Sequence, residues 1–287
     1  MDIITSYQNH LRPMAINTQK IYLCEFKKFV EHFKGEDYRY ISHEKIVGYL
    51  ATLYDAGFSP SKVNQAINAI KFYKEKVLGQ KRQTYFIKRP RRNKFYPAIL
   101  SQERMFAVVN SPRNLKHHTL LYMIYMNGLR RSEIINLKIS DLITKTTDPY
   151  IIIREAKHGG SRLIYINADI VEKLKKYYRA FHPKTYVFEG AVAGEPISDT
   201  TIANILRQAL RVNGVKEQFR VHDLRHNFAT HCLLNGTDIY HLSKILGHRS
   251  VETTEKYYAH LLPNQVTIRR PQEKKAPEGR IVFMKSA

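Results

Sequence analysis

Four stretches of the 287-residue chain place reactive side chains at spacings that suit chemistry on a phosphate ester. The first is Gly128-Leu129-Arg130-Arg131-Ser132-Glu133. Glu133 follows Arg130 by three residues, so on a helix the two share a face and the carboxylate can hold the guanidinium rigid. The second is Lys157, in the Gly-rich segment Glu155-Ala156-Lys157-His158-Gly159-Gly160-Ser161. A turn of this kind can reach into a groove and offer an ammonium as proton donor. The third is His222-Asp223-Leu224-Arg225-His226. His222 and Arg225 are three apart, which aims two donors at one phosphate; His222 and His226 are four apart, which also suits a zinc ion. The metalloprotease pattern is H-E-x-x-H, however, and here the second residue is Asp, with no third ligand evident. The fourth is Leu246-Gly247-His248 followed by Thr253-Thr254-Glu255-Lys256-Tyr257-Tyr258. A tyrosine phenol, ordinarily titrating near ~10, becomes a nucleophile when its neighbours take its proton during attack.

Three of the stretches alone have an ordinary reading: solvated arginines, an exposed turn lysine, packed tyrosines. Together the four fit one reaction. Attack on a DNA phosphodiester builds negative charge on the non-bridging oxygens, and two arginines can neutralise it with bidentate hydrogen bonds. Two histidines can donate to the same oxygens or move protons. A lysine can protonate the departing 5′-oxygen, and a tyrosine can attack. Such a scheme calls on neither metal nor ATP, because the arginines supply the electrostatics and a phosphotyrosyl bond conserves the energy for resealing.

The elements that would position these groups can be read from periodicity. The first 80 or so residues read as helices. Asn17 and Thr18 can cap one carrying Ile21, Phe26, Phe29, Val30 and Phe33; Ser42 can cap a second; Ser59-Pro60 opens a third that Gly79 closes. Residues 79–94 then hold seven basic side chains and no acidic one, namely Lys81, Arg82, Lys88, Arg89, Arg91, Arg92 and Lys94. That run reads as an extended linker tracking an anionic surface, or as a solvated loop. Beyond Ser101, helices are expected at 101–110, 116–127 and 131–138, the last after a tight Gly128-Leu129 turn. Tyr150–Ile153 and Leu163–Ile166 read as a β-hairpin. Helices follow at about 168–181, 199–212, 222–235, 238–246 and 251–261, with Gly214, Gly236 and Gly247 where C-caps belong.

Composition narrows the partners. Lys plus Arg is 47 against 25 Asp plus Glu, a net charge of +22, which favours a polyanion: nucleic acid first, an anionic membrane surface second. No apolar run reaches the ~18 residues of a membrane span, and the N-terminus lacks the pattern of a secretory signal. Two cysteines, Cys24 and Cys232, exclude a disulfide scaffold and read as small buried apolar residues.

With these motifs in place, the chain resembles the tyrosine recombinase (phage integrase) family, in layout the Xer-type members. The phrase FSPSKVNQAINAIKFYKEKVLG resembles the N-terminal core-binding region and RPRRNKFYPAILSQERM the entry to the catalytic domain. NGLRRSEIINLKISDL resembles the first-arginine motif, AKHGGSRLIYI the hairpin motif, HDLRHNFATHCL the H-x-x-R motif, LGHRS the following histidine motif and TTEKYYAH the nucleophile motif. The resemblance implies Arg130, Lys157, His222, Arg225, His248 and Tyr257 as catalytic residues, with Glu133 as supporting acid. Two departures stand: Tyr258 directly follows the implied nucleophile and is its alternative, and HGG follows the lysine where relatives often carry another basic residue.

The implied fold is mainly α with a small β-sheet in an α+β catalytic domain, preceded by an all-α, SAM-like domain, the two forming a C-shaped clamp on DNA. The implied domains are a DNA-binding domain at 1–86, a basic linker at 87–100, a catalytic domain at 101–262 and a tail at 263–287 that docks on a neighbouring protomer through Ile281–Met284. The implied partners are double-stranded DNA with an inverted-repeat core site, a homotetramer on two such sites, and room for an accessory protein or second recombinase, in the cytoplasm at the nucleoid. No cofactor, metal or membrane is implied. Two other classes stay open at this point: a DNA-binding accessory protein without catalysis, and a type IB topoisomerase-like relaxase.

The charge distribution makes a direct prediction. Duplex binding should weaken about a thousandfold or more between roughly 50 and 200 mM salt if six or more phosphates are contacted. Arg91→Ala with Arg92→Ala should weaken it across unrelated sequences. A salt titration by fluorescence anisotropy checks both; salt-insensitive binding overturns the basic-linker reading.

Overall fold

The computed structural model describes residues 2–81, 98–154, 161–248 and 250–258, with the backbone alone at Lys256 and Tyr257. The chain divides into two units, Met1–Tyr96 and Pro97–Ala287. It is mostly helical, and the described residues hold one three-stranded sheet. No helix among the described residues is long and apolar enough to cross a membrane.

The first unit contains α1 (Ile3–Leu11), α2 (Ile16–His32), α3 (His43–Asp55) and α4 (Pro60–Phe72), the last running into one π-helical turn at Tyr73–Val77. Ser42 and Ser59 cap α3 and α4 as expected, each side chain accepting from the backbone N–H three residues on. The α2 start differs from expectation. Asn17 and Thr18 are already helical and Ala15 stands at the cap, because Gln19 secures the entry by donating to the carbonyls of Met14 and Arg12. Tyr7, Phe26, Phe29, Ile46, Leu50, Val63, Ile70 and Tyr73 form the core. Tyr7 stacks on Phe26 at 3.9 Å between ring centroids and donates its hydroxyl to the carbonyl of Ala69. Cys24 is exposed rather than buried, since α2 turns its neighbours Glu25 and Phe26 inward instead. Cys232 is half-buried.

The second unit holds α5 (Gln102–Asn110), α6 (Leu115–Asn127), α7 (Arg131–Asn136), β1 (Leu142–Ile143), β2 (Tyr150–Arg154), β3 (Ser161–Tyr165), α8 (Ala168–Phe181), α9 (Asp199–Val212), α10 (Val221–Leu234), α11 (Ile239–Leu246) and α12 (Val251–Tyr258). Helix α7 stops two residues before the expected 138, because the chain turns extended at Leu137 to pair with the segment around Val187. The expected hairpin gains a third strand, giving the antiparallel order β1-β2-β3 with Ile151 opposite Ile164 and Ile153 opposite Arg162. The alternation that buries Ile164 and Ile166 therefore also turns Arg162 inward.

Helix α6 is buried from Thr119 to Tyr125 and packs on α10, so these two helices form the centre of the unit. Gly128 ends α6 in the left-handed conformation, φ +58, with Phe228 packed where a Cβ would project. Gly128→Ala should therefore cost at least about 1–2 kcal/mol from the left-handed backbone alone, with overlap against Phe228 adding to it. Urea denaturation checks this; an unchanged midpoint overturns it.

Candidate active site

The turn after α6 delivers Arg130 to the N-cap of α7, and Glu133 completes the first turn of that helix. One carboxylate oxygen accepts the Arg130 backbone N–H at 2.7 Å and the other accepts Arg130 Nη1 at 2.8 Å. Spacing alone predicted a shared helical face; the cap position lets one carboxylate hold both backbone and side chain of the arginine. Arg162, at the start of β3, adds a bidentate pair to the same carboxylate at 2.9 Å on each oxygen. Arg225, on α10, stands 3.9 Å from it. The Glu133 side chain is only 7% exposed. Burial alone would raise its pKa, but hydrogen bonds and charge from Arg162, with Arg130, hold the carboxyl down at about 2.

The other arms of these arginines reach carbonyls at helix C-termini. Arg225 donates to Gly128 O at 2.8 Å and Leu246 O at 2.5 Å, Arg130 to Gly247 O at 2.9 Å, and Arg162 to Ile245 O at 2.8 Å. The last carbonyls of a helix lack intrahelical partners and carry the negative end of its dipole, so guanidiniums are favoured there. Three arginines against one carboxylate leave this cluster with two excess positive charges. Burial first, and then repulsion from Arg130, lowers the Arg225 pKa. An arriving anion relieves that repulsion.

The histidines border the cluster. His248 follows Gly247, the left-handed C-cap of α11. Arg225 Nη2 donates to His248 Nε2 at 3.2 Å. A guanidinium cannot accept, so the ring proton sits on Nδ1 and is donated to Thr254 Oγ1 at 2.8 Å. Burial first, with Arg225 and Arg130, pushes His248 down to about 4, so it is neutral at physiological pH. His222 keeps an exposed edge, yet crowding of its ring lowers its pKa too, ahead of repulsion from His226 and Arg225. Its ring packs edge-on against His226 at 4.7 Å. His226 Nδ1 in turn meets the Tyr258 hydroxyl at 2.6 Å. Asp223 caps α10 by accepting the Arg220 N–H at 2.6 Å. No group of three His, Cys, Asp or Glu among the described residues is placed to hold a metal ion.

Tyr258 is 4% exposed and packs among Ala229, Leu233, Leu242 and Leu246. Tyr257 precedes it on α12, with its side chain outside the described residues. Lys157, in segment 155–160 between β2 and β3, also lies outside them, as do Arg82, Lys88, Arg89, Arg91, Arg92, Lys94 and the tail at 263–287. Lys81 is described and exposed. Arg130, His222, Arg225, His248 and Glu133 thus come together. Arg162 was missed, although a charged residue on the inward face of an otherwise apolar strand was a readable signal. Asn227 is a second addition: it accepts the Leu100 N–H and donates to Ala98 O, tethering the entry of the unit to α10.

Residues 101–265 match the model of the phage integrase family, and residues 4–84 match that of the phage integrase N-terminal SAM-like domain. The tyrosine recombinase XerA of Pyrococcus furiosus is 30% identical over 246 residues, covering 84% of this chain and 82% of the relative. Among solved structures, XerH site-specific recombinase bound to a palindromic difH substrate superposes with a TM-score of 0.68 at 20% identity, covering 87% of this chain and 78% of that one. A lambda integrase dimer bound to a COC′ core site gives a TM-score of 0.70 at 16% identity, covering 89% and 93%.

The neutral state of His248 links folding to pH. The unfolded chain takes up a proton at this residue near pH 6.5, whereas the folded chain refuses it until about pH 4. Its contribution to stability is therefore complete above pH 6.5 and is lost as pH falls toward 4. Urea midpoints across that window should fall for the native chain and fall less steeply for His248→Asn. Parallel curves overturn the assignment.

Proposed function

Because the chain belongs to the phage integrase family, and so to the site-specific tyrosine recombinases, we propose that it cuts and rejoins DNA through a covalent 3′-phosphotyrosyl intermediate formed by Tyr257. The observation that carries this reading is the buried carboxylate of Glu133 holding Arg130 beside Arg225 and His248, at the entry to the helix that bears Tyr257. The Tyr257 oxygen attacks the scissile phosphorus and the bond from phosphorus to the 5′-oxygen breaks. The phenol proton passes to neutral His222, since both ring nitrogens of His248 are already engaged by Arg225 and Thr254. Arg130 and Arg225 take up the charge that develops on the non-bridging oxygens. Lys157 protonates the leaving 5′-oxygen, giving a free 5′-hydroxyl. The partner strand's 5′-hydroxyl then attacks the phosphotyrosyl bond, which releases the tyrosine and forms a Holliday junction; a second round resolves it. The scheme calls on no metal or nucleotide.

Tyr257 is favoured over Tyr258 because the Tyr258 hydroxyl is already held by His226 within a packed apolar cluster. Adjacent residues leave a helix axis about 100° apart, so a helix that buries one does not bury the other in the same place. In the same reading, 1–86 binds DNA, 87–100 follows the backbone with its basic side chains, 101–262 carries the chemistry, and 263–287 docks on a neighbour within a tetramer on two inverted-repeat sites. A cytoplasmic location at the nucleoid accords with that work. The DNA complexes of the XerH and lambda integrase structures support a DNA partner.

A suicide duplex, nicked to trap cleavage and carrying a candidate site from DNA beside the gene, tests the proposal in the presence of a chelator. A covalent adduct on a denaturing gel that is lost in Tyr257→Phe and kept in Tyr258→Phe is the expected result. Loss only in Tyr258→Phe moves the nucleophile by one residue. A native chain that binds the duplex tightly and forms no adduct overturns the strand-cutting reading.

A further inference from the structure

Arg162 lies in the hairpin motif but is none of the residues implied as catalytic, yet it makes more contacts around Glu133 than its place on a strand requires. Its two terminal nitrogens grip both oxygens of Glu133, and its Nε donates to Ile245 O. Its side chain is 11% exposed. Gly247 leaves room for it: a Cβ there would stand 2.9 Å from Arg162 Nη1. The Gly247 carbonyl itself accepts Arg130. Arg162 thus closes a ring that joins β3, the first turn of α7 and the end of α11. Without it, Glu133 keeps its bonds to Arg130 but loses the bidentate clamp that fixes the plane of the carboxylate.

From this geometry we propose that Arg162 is a positioning residue for strand cleavage: it orients the Glu133 carboxylate so that Arg130 presents its guanidinium to the non-bridging oxygens of the scissile phosphate. The inference rests on the strand-cutting reading above. It assigns Arg162 no contact with DNA. Its effect passes through Glu133 and Arg130, so its loss should look like a weaker form of losing Arg130.

The test measures single-turnover adduct formation with two suicide duplexes. One carries the ordinary phosphodiester; the other carries a methylphosphonate, in which a neutral methyl group replaces one non-bridging oxygen and removes the charge the arginines neutralise. Arg162→Ala should cut the phosphodiester about 100-fold more slowly, with duplex affinity unchanged. Its deficit relative to the native chain should shrink on the methylphosphonate, as should that of Arg130→Ala, and Arg162→Lys should fall between Ala and native. A purely structural defect slows both duplexes alike. Arg162→Ala cleaving the phosphodiester at the native rate, or showing an equal deficit on both duplexes while that of Arg130→Ala shrinks, overturns the proposal. If thermal unfolding shows that Arg162→Ala does not fold, Arg162→Lys carries the same comparison. Absence of any adduct from the native chain overturns the strand-cutting reading rather than the role of Arg162 alone.

Discussion

The second unit is organised around a single buried carboxylate. Glu133 is almost wholly removed from water and draws guanidiniums from the N-cap of α7, from β3 and from α10. A lone buried carboxylate would be expensive, and removing one partner from a buried ion pair is far more costly than the pair is worth. Glu133 therefore demands its partners, and the partners lie on elements distant in sequence. Arg162 is 29 residues away and Arg225 is 97 residues from the Gly128 carbonyl it also binds. Satisfying this one group fixes how the sheet, the central helices and the end of α11 meet.

Helix termini supply the rest of the arrangement. The carbonyls of Gly128, Ile245, Leu246 and Gly247 end α6 and α11 without intrahelical partners, and the arginines satisfy them. Neither set of groups is complete alone: the arginines have more donors than Glu133 can accept, and the helix ends have acceptors facing into protein. The net result is a tightly held cluster with excess positive charge, suited to receiving an anion. That hold matters because charge stabilisation in a transition state works when the donors are already aimed.

Around α12 the packing fixes Tyr258 and His248 in different surroundings. Tyr258 is held in an apolar cluster and by His226, whereas His248 at the helix entry is held by Thr254 and Arg225. His226, which could have been read as half of a zinc pair with His222, acts instead as a partner of Tyr258. Asp223, in the position of a metalloprotease general base, caps α10. Both residues do ordinary structural work, and that work keeps His222 and Arg225 where they stand.

Sequence periodicity was enough for most helices, because apolar residues at helical spacing and Ser or Gly at the ends are local signals: Ser42, Ser59 and Gly128 sit where propensity places them. It misplaced the start of α2 and the end of α7, where Gln19 and the extended pairing of Leu137 with Val187 outweigh local preference. The short strand β1 was invisible, since two residues carry no period. By itself the sequence determined the inventory of reactive groups, their order and the strongly basic balance, because these need no neighbours to be read. Only the tertiary structure decided that Arg162 shares the Glu133 carboxylate, that His248 carries its proton on Nδ1 and that Tyr258 is occupied by His226. Those facts depend on contacts between residues many positions apart, and burial, which sets their strength, exists only once the chain has folded.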